Sequence, residues 1–235
     1  MILIYIGGVD LNKIIQSLVK QVVKLEVSGK RIITGTVIDL GSDMIVLFTG
    51  IDFVYIPLNH VQNFKIDFDN ENEIEDPAEF PSITREDDKG NLSFGEVLTQ
   101  AKGKFVEIYV TSDQSLHGCI THVMNNYFVF QSPIYKTMYI TIDHLKWLIP
   151  YTGNKKPYGL DNHDVLLQKG DELLPSTFEA QVEKLKNEIV VFNMGGNKNL
   201  IGKINQVEAQ IVEIQTARAS SNYLNLNHIK TLHQV

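Results

Sequence analysis

Three histidines stand at equal intervals in this chain: His60, His144 and His228 are each separated by 84 residues. Each follows an Asn or Asp and precedes an aliphatic residue, reading NHV, DHL and NHI. Brought together, three imidazoles offer nitrogen ligands to zinc or copper. Held apart, each can bond a nearby backbone carbonyl and lock a turn. Recurrence in every copy favours the second role, because each copy of a folding unit needs its own folding residues. Structural histidines are therefore expected, with no metal and no cofactor. Cys119 is the single cysteine. It occupies a place that Thr36 and Lys203 take elsewhere, so a nucleophile is not expected there, and one thiol builds neither a disulfide framework nor a multi-cysteine zinc site. The run DFDNENEIED alternates Asp67, Asp69 and Glu71 like a calcium loop, but Asn72 and Ala78 stand where that loop needs glycine and a bidentate glutamate. No phosphate loop, dinucleotide fingerprint, zincin or nucleophile-elbow motif occurs. The expectation is a protein that is not an enzyme.

The histidines belong to a longer motif. Residues 55–64 read YIPLNHVQNF, residues 139–148 YITIDHLKWL and residues 223–232 YLNLNHIKTL. Tyr55, Tyr139 and Tyr223 open it; an apolar ring with a hydroxyl that bonds backbone at a barrel edge is the expected use. Upstream, Gly35, Gly118 and Gly202 each precede an aliphatic residue by two: Val37, Ile120 and Ile204. Eight residues before each glycine a strand-like run ends: VVKLEV, FVEIYV and IVVFNM. Period-two alternation of β-branched residues marks a half-buried strand. Helical spacing precedes each run, over 10–21, 93–103 and 176–187. Ser93 with Glu96, and Ser176 with Glu179, have capping-box spacing. A glycine kept inside a strand in all three copies suggests a sharp bend. Five short, bent strands then close into a small barrel or remain an open sheet packed on the helix. Trp147, the single tryptophan, lies in the variable part of the motif and is a candidate contact residue.

The strand–Gly–x–aliphatic pattern of VVKLEVSGKRIITGTVIDLGSDMIVL resembles the first signature of the Sm-like fold. The pairing of that half with a closing Tyr-x-x-x-Asn/Asp-His half resembles the Sm-like repeats of the Bacillus spore coat protein B family and related small Bacillus domains. The carriers are Gly35 with Val37 and Tyr55 with His60, with their equivalents in the other two copies. The closing half departs from the Arg-Gly signature of Sm proteins, and the Ser/Lys-rich tail of the coat protein is lacking. The resemblance implies a mainly β fold of three tandem Sm-like or SH3-like small β-barrels, each preceded by a short α-helix. The boundaries are 1–66, 93–150 and 176–235, separated by an acidic linker at 67–92 and a connector at 151–175. The three barrels are expected to be separate, with matching topology.

Charge narrows the function. Net charge is −7. Residues 67–90 hold ten acids against Arg85 and Lys89, so the remainder of the chain is close to neutral. That is not the basic surface of a strong nucleic-acid binder. No apolar run is long enough to span a bilayer, and the apolar start lacks the basic flank of a signal peptide. The expected function is a structural or interaction protein, cytoplasmic or spore-associated, that self-associates or docks a protein partner, with an RNA-binding protein of fused Sm-like units as the alternative.

Overall fold

The computed structural model describes residues 15–68, 74, 77, 92–110, 114–152, 157–160, 173–194 and 200–234. The start of the helix expected over 10–21, most of the acidic linker with its calcium-like run, and much of the connector lie outside these residues. The chain divides into two compact units, Met1–Val97 and Leu98–Val235. The first holds one set of five strands: β1 (Val22–Val27), β2 (Arg31–Leu40), β3 (Met44–Phe48), β4 (Phe53–Pro57) and β5 (Val61–Ile66). The second holds two sets. The middle set is β6 (Phe105–Tyr109), β7 (Leu116–Val123), β8 (Tyr127–Ser132), β9 (Lys136–Thr141) and β10 (Trp147–Pro150). The last set is β11 (Ile189–Phe192), β12 (Ile201–Glu208), β13 (Ile211–Gln215), β14 (Ser221–Asn225) and β15 (Thr231–Gln234). Helix α1 (Phe94–Gln100) precedes the middle set and α2 (Phe178–Lys184) the last.

Pairing is antiparallel and follows one scheme in each set. The first strand lies between the second and the fifth, and strands two to four form a meander. The alternation read from VVKLEV is realised in β1, where Val23, Leu25 and Val27 are fully buried and the residues between them half-buried. In β6 the outer face is covered as well, because Trp147 lies over Tyr109 and Phe105 is packed by Tyr151 and Leu160.

The bend of the second strand has two causes that recur together. Its register against the third strand slips between Val37 and Asp39, between Ile120 and His122, and between Ile204 and Gln206. Such a bulge adds one residue to one strand and increases local twist. The glycine just before it lets the third strand's backbone come close. A β-carbon on Gly35 would stand 2.7 Å from the Phe48 carbonyl oxygen, and one on Gly202 2.7 Å from that of Gln215. On Gly118 it would collide with the Gln131 carbonyl oxygen. Each helical stretch stops at a residue in the left-handed region, Lys20, Gly103 or Asn187. The amide of that residue donates to the second strand, at Val37, Ile120 and Ile204 respectively. The helix end and the bend are thus tied at one point.

Closure takes a different form from the expected barrel. Among the described residues the fourth and fifth strands of a set do not pair with each other. In the second unit β15 pairs instead with β9 of the middle set, so both sets lie in one open antiparallel sheet. The expectation of separate barrels is corrected accordingly. A fifth strand that bonds outward leaves its own sheet open.

The close carbonyl gives a direct test. Gly118→Val should lower stability by about 1–3 kcal/mol through overpacking, read as a lower urea midpoint at constant slope. Gly95→Ala, in α1 where an added β-carbon meets nothing nearer than 4.0 Å, should leave the midpoint unchanged or raised. Equal midpoints for the Gly118 variant and the parent would show that the site is open.

Candidate interaction surface

The seam between β9 and β15 is built from both strands' main chains. Thr231 opposes Ile140, Leu232 opposes Tyr139 and His233 opposes Met138. On its other edge β15 pairs with β11, Leu232 opposing Phe192. Where the strands diverge, the Thr141 amide donates to the Lys230 carbonyl at 3.1 Å and its hydroxyl to the Ile229 carbonyl at 3.0 Å. Side chains continue the join. Tyr127, Val129 and Tyr139 of the middle set share one core cluster with Phe178, Phe192 and Leu232 of the last. The Tyr127 hydroxyl donates to the Pro175 carbonyl at 2.7 Å. Burial, and then the neighbouring Tyr139, push its pKa up to about 12.

A second link joins a strand turn to the following helix. Asn126 precedes β8, and its side-chain oxygen accepts the Phe178 amide at 2.8 Å. Its amide nitrogen donates to Glu179 at 3.2 Å. In the first unit Asp43 occupies the same place before β3 and accepts the Phe94 amide at 2.7 Å. These residues satisfy helix N-terminal amides that have no intrahelical acceptor. The sequence reading missed both, since Asp43 and Asn126 look like ordinary turn residues. The helices' own caps fit it in one case. Ser93 and Glu96 form the expected box, and the Ser93 amide, followed by its hydroxyl, holds the Glu96 carboxyl below the usual range. At α2 the cap is Thr177, whose hydroxyl accepts the Ala180 amide at 3.3 Å. It is not Ser176, and Glu179 is engaged by Asn126 instead.

Each histidine ends a short 3-10 turn: Leu58–His60, Ile142–His144 and Leu226–His228. Their partners differ. The His60 Nδ1 lies 2.9 Å from the Ser28 hydroxyl within its own set. The His144 Nε2 reaches 2.9 Å to the Asn227 carbonyl of the last set, and so crosses the seam. The ring of His228 is exposed and makes no hydrogen bond among the described residues. Tyr55 and Tyr139 are buried, whereas Tyr223 is 68% exposed. Trp147 is half-buried and stacks on Tyr109, with centroids 4.1 Å apart and planes 3° from parallel. Lys146 lies over the same Tyr109 ring.

Cys119 is fully buried, and burial pushes its pKa up to about 11. Among the described residues no three His, Cys, Asp or Glu side chains are placed to hold a metal ion, and no helix is long and apolar enough to cross a membrane. One cluster escaped the sequence reading because its members are distant in the chain. The His117 Nδ1 sits 2.8 Å from the Tyr151 hydroxyl and 3.9 Å from Glu107. Tyr158 meets the same ring edge-on.

Residues 177–232 match the protein family described as YwrJ third domain, a stretch that runs from the cap of α2 into β15. The chain is similar to the uncharacterized protein YwrJ of Bacillus subtilis (strain 168), with 36% identity over 214 residues, covering 90% of this chain and 94% of that protein. It is also similar to spore coat protein B of the same strain, with 24% identity over 141 residues, covering 60% of this chain and 35% of that protein.

Two measurements probe these contacts. Asn126→Ala removes the acceptor for the Phe178 amide and should cost about 1 kcal/mol, as lost helix caps do; an unchanged urea midpoint would show the bond to be idle. His233, at the seam, is held below the ordinary imidazole pKa of 6.5 by burial. The unfolded chain therefore binds its proton first as pH falls. Its contribution to stability should be full above pH 6.5 and decline as pH drops below that value toward the lowered folded pKa. His233→Phe should flatten that part of the stability–pH curve, and an unaltered curve would count against the assignment.

Proposed function

We propose that this chain, which belongs to the YwrJ family, is a non-catalytic assembly protein associated with the bacterial spore and built from three bent Sm-like sheets. The observation that carries the reading is the β9–β15 seam. It joins two five-stranded sets edge to edge through main-chain bonds and a shared core, which is how sheets associate without a dedicated pocket. The partial likeness to a protein named for the spore coat supports the location. The three equivalent pairing schemes, each with its bulge and close-packed glycine, support Sm-like modules as the building block. The histidine motif serves module folding and joining in this reading, and Cys119 serves the core.

Fractionation of sporulating cells of the source strain tests the proposal. The protein should appear during sporulation and be extracted with the coat layers of purified spores. Recovery only from the soluble fraction of growing cells would overturn it. Purification with bound nucleic acid, seen as a raised A260/A280 ratio that nuclease lowers, would favour the RNA-binding alternative instead.

A further inference from the structure

We infer that a hollow on the last set is a docking site for an acidic, apolar-anchored segment of another protein. The inference rests on the assembly reading above and names the kind of partner. Its template is the same place in the middle set. A spacing of 84 residues carries the middle set onto the last, so Ile201, Thr216 and Arg218 stand where His117, Ser132 and Ile134 stand. These residues line equivalent hollows between the start of the second strand and the turn that joins the third strand to the fourth. In the middle set the connector covers that place. Tyr151 and Leu160 pack on Phe105 and Cys119. The Tyr151 hydroxyl meets the His117 Nδ1 at 2.8 Å, and Tyr158 stands edge-on to the same ring. About 290 Å³ stays open. In the last set the hollow measures about 690 Å³. Ile189, at the place of Phe105, is 56% exposed against 6%, and Ile201 is 50% exposed. Both present apolar surface where the middle set is capped.

The side chains that differ between the two hollows define the occupant. Cys119 and Ile134 suit an apolar connector, and Lys203 and Arg218 take their places in the last set. No Asp or Glu lines the last hollow among the described residues. Neither cation forms an ion pair among those residues. A segment that fills the hollow therefore brings carboxylates to Lys203 and Arg218 and an aliphatic or aromatic side chain to Ile189 and Ile201. The rim is already built. The Thr216 amide donates to the Ser220 carbonyl at 2.9 Å and the Ala219 amide to the Thr216 carbonyl at 2.9 Å. The hydroxyls of Thr216 and Ser220 lie 2.7 Å apart. Such preorganisation lowers the entropy lost on binding. No aromatic ring lines the hollow among the described residues, so it offers bases no stacking platform, which favours a peptide over single-stranded nucleic acid.

A dodecapeptide display library selected against the full-length chain tests this. Enriched peptides should carry acids flanking an aliphatic or aromatic residue. The most enriched peptide, synthesised with a fluorescent label, should bind saturably in fluorescence anisotropy. Lys203→Glu combined with Arg218→Glu should weaken that binding about tenfold or more, as the reversal of two partly exposed ion pairs implies, with an unchanged urea midpoint. Ile201→Asp should weaken it as well, and Lys65→Glu, in the first unit, should not. Should the double variant shift the midpoint, Arg218→Glu alone, in an exposed turn, carries the test. A library without enrichment, enriched peptides that lack acids, or affinity retained in the hollow's variants overturns the site. Saturable binding of oligouridylate that the double variant loses also overturns it and assigns the hollow to nucleic acid. None of these outcomes bears on spore location, which the fractionation decides separately.

Discussion

Strand β15 bonds along both of its edges, to β11 of its own set and to β9 of the set before it. Much of the second unit follows from that choice. A fifth strand engaged outward is unavailable to close on its own fourth strand, so the sets remain open and share a sheet. Leu232 and Tyr139, opposed across the seam, become core residues with almost no exposure. Burial of a large apolar side chain contributes about 1.5–3 kcal/mol, so such a pair is a substantial share of a marginally stable fold. The linkage from Asn126 to α2 fixes the same neighbour at a second point, which sets orientation as well as contact.

Most of the local structure was legible in the sequence. The alternation in VVKLEV, the glycine two residues before an aliphatic, and the Tyr-to-His motif all lie within one set, where period and spacing report on backbone geometry directly. The seam was not legible. Pairing between edges is carried by main-chain groups that every residue has, and it leaves no periodic trace. The sequence therefore led to closed barrels, where β15 turns outward instead. The cap of α2 was missed by one residue because Ser176 and Thr177 both suit the role, and Glu179 at the capping-box position is drawn to Asn126.

Repetition of a residue also proved different from repetition of an interaction. His60, His144 and His228 share a turn and a sequence context, yet one bonds a serine, one crosses to a neighbouring set and one faces solvent. The glycines behave otherwise: Gly35, Gly118 and Gly202 each meet the carbonyl of the same third-strand position. Requirements internal to a set are met alike in all three, and requirements at its edges depend on what lies beyond.

Cys119 lies under Tyr151 and Leu160 on the outer face of the middle set, pairs with Phe105 across the sheet, and has its thiol pKa raised by burial. A thiol so placed meets an alkylating reagent only when the cover lifts, since reaction requires both access and ionisation. Its labelling rate consequently reports local opening of that set, as the product of the opening equilibrium and the intrinsic reactivity of the exposed thiol. The chain carries one such thiol, so this measurement runs on the native sequence and reads the middle set alone.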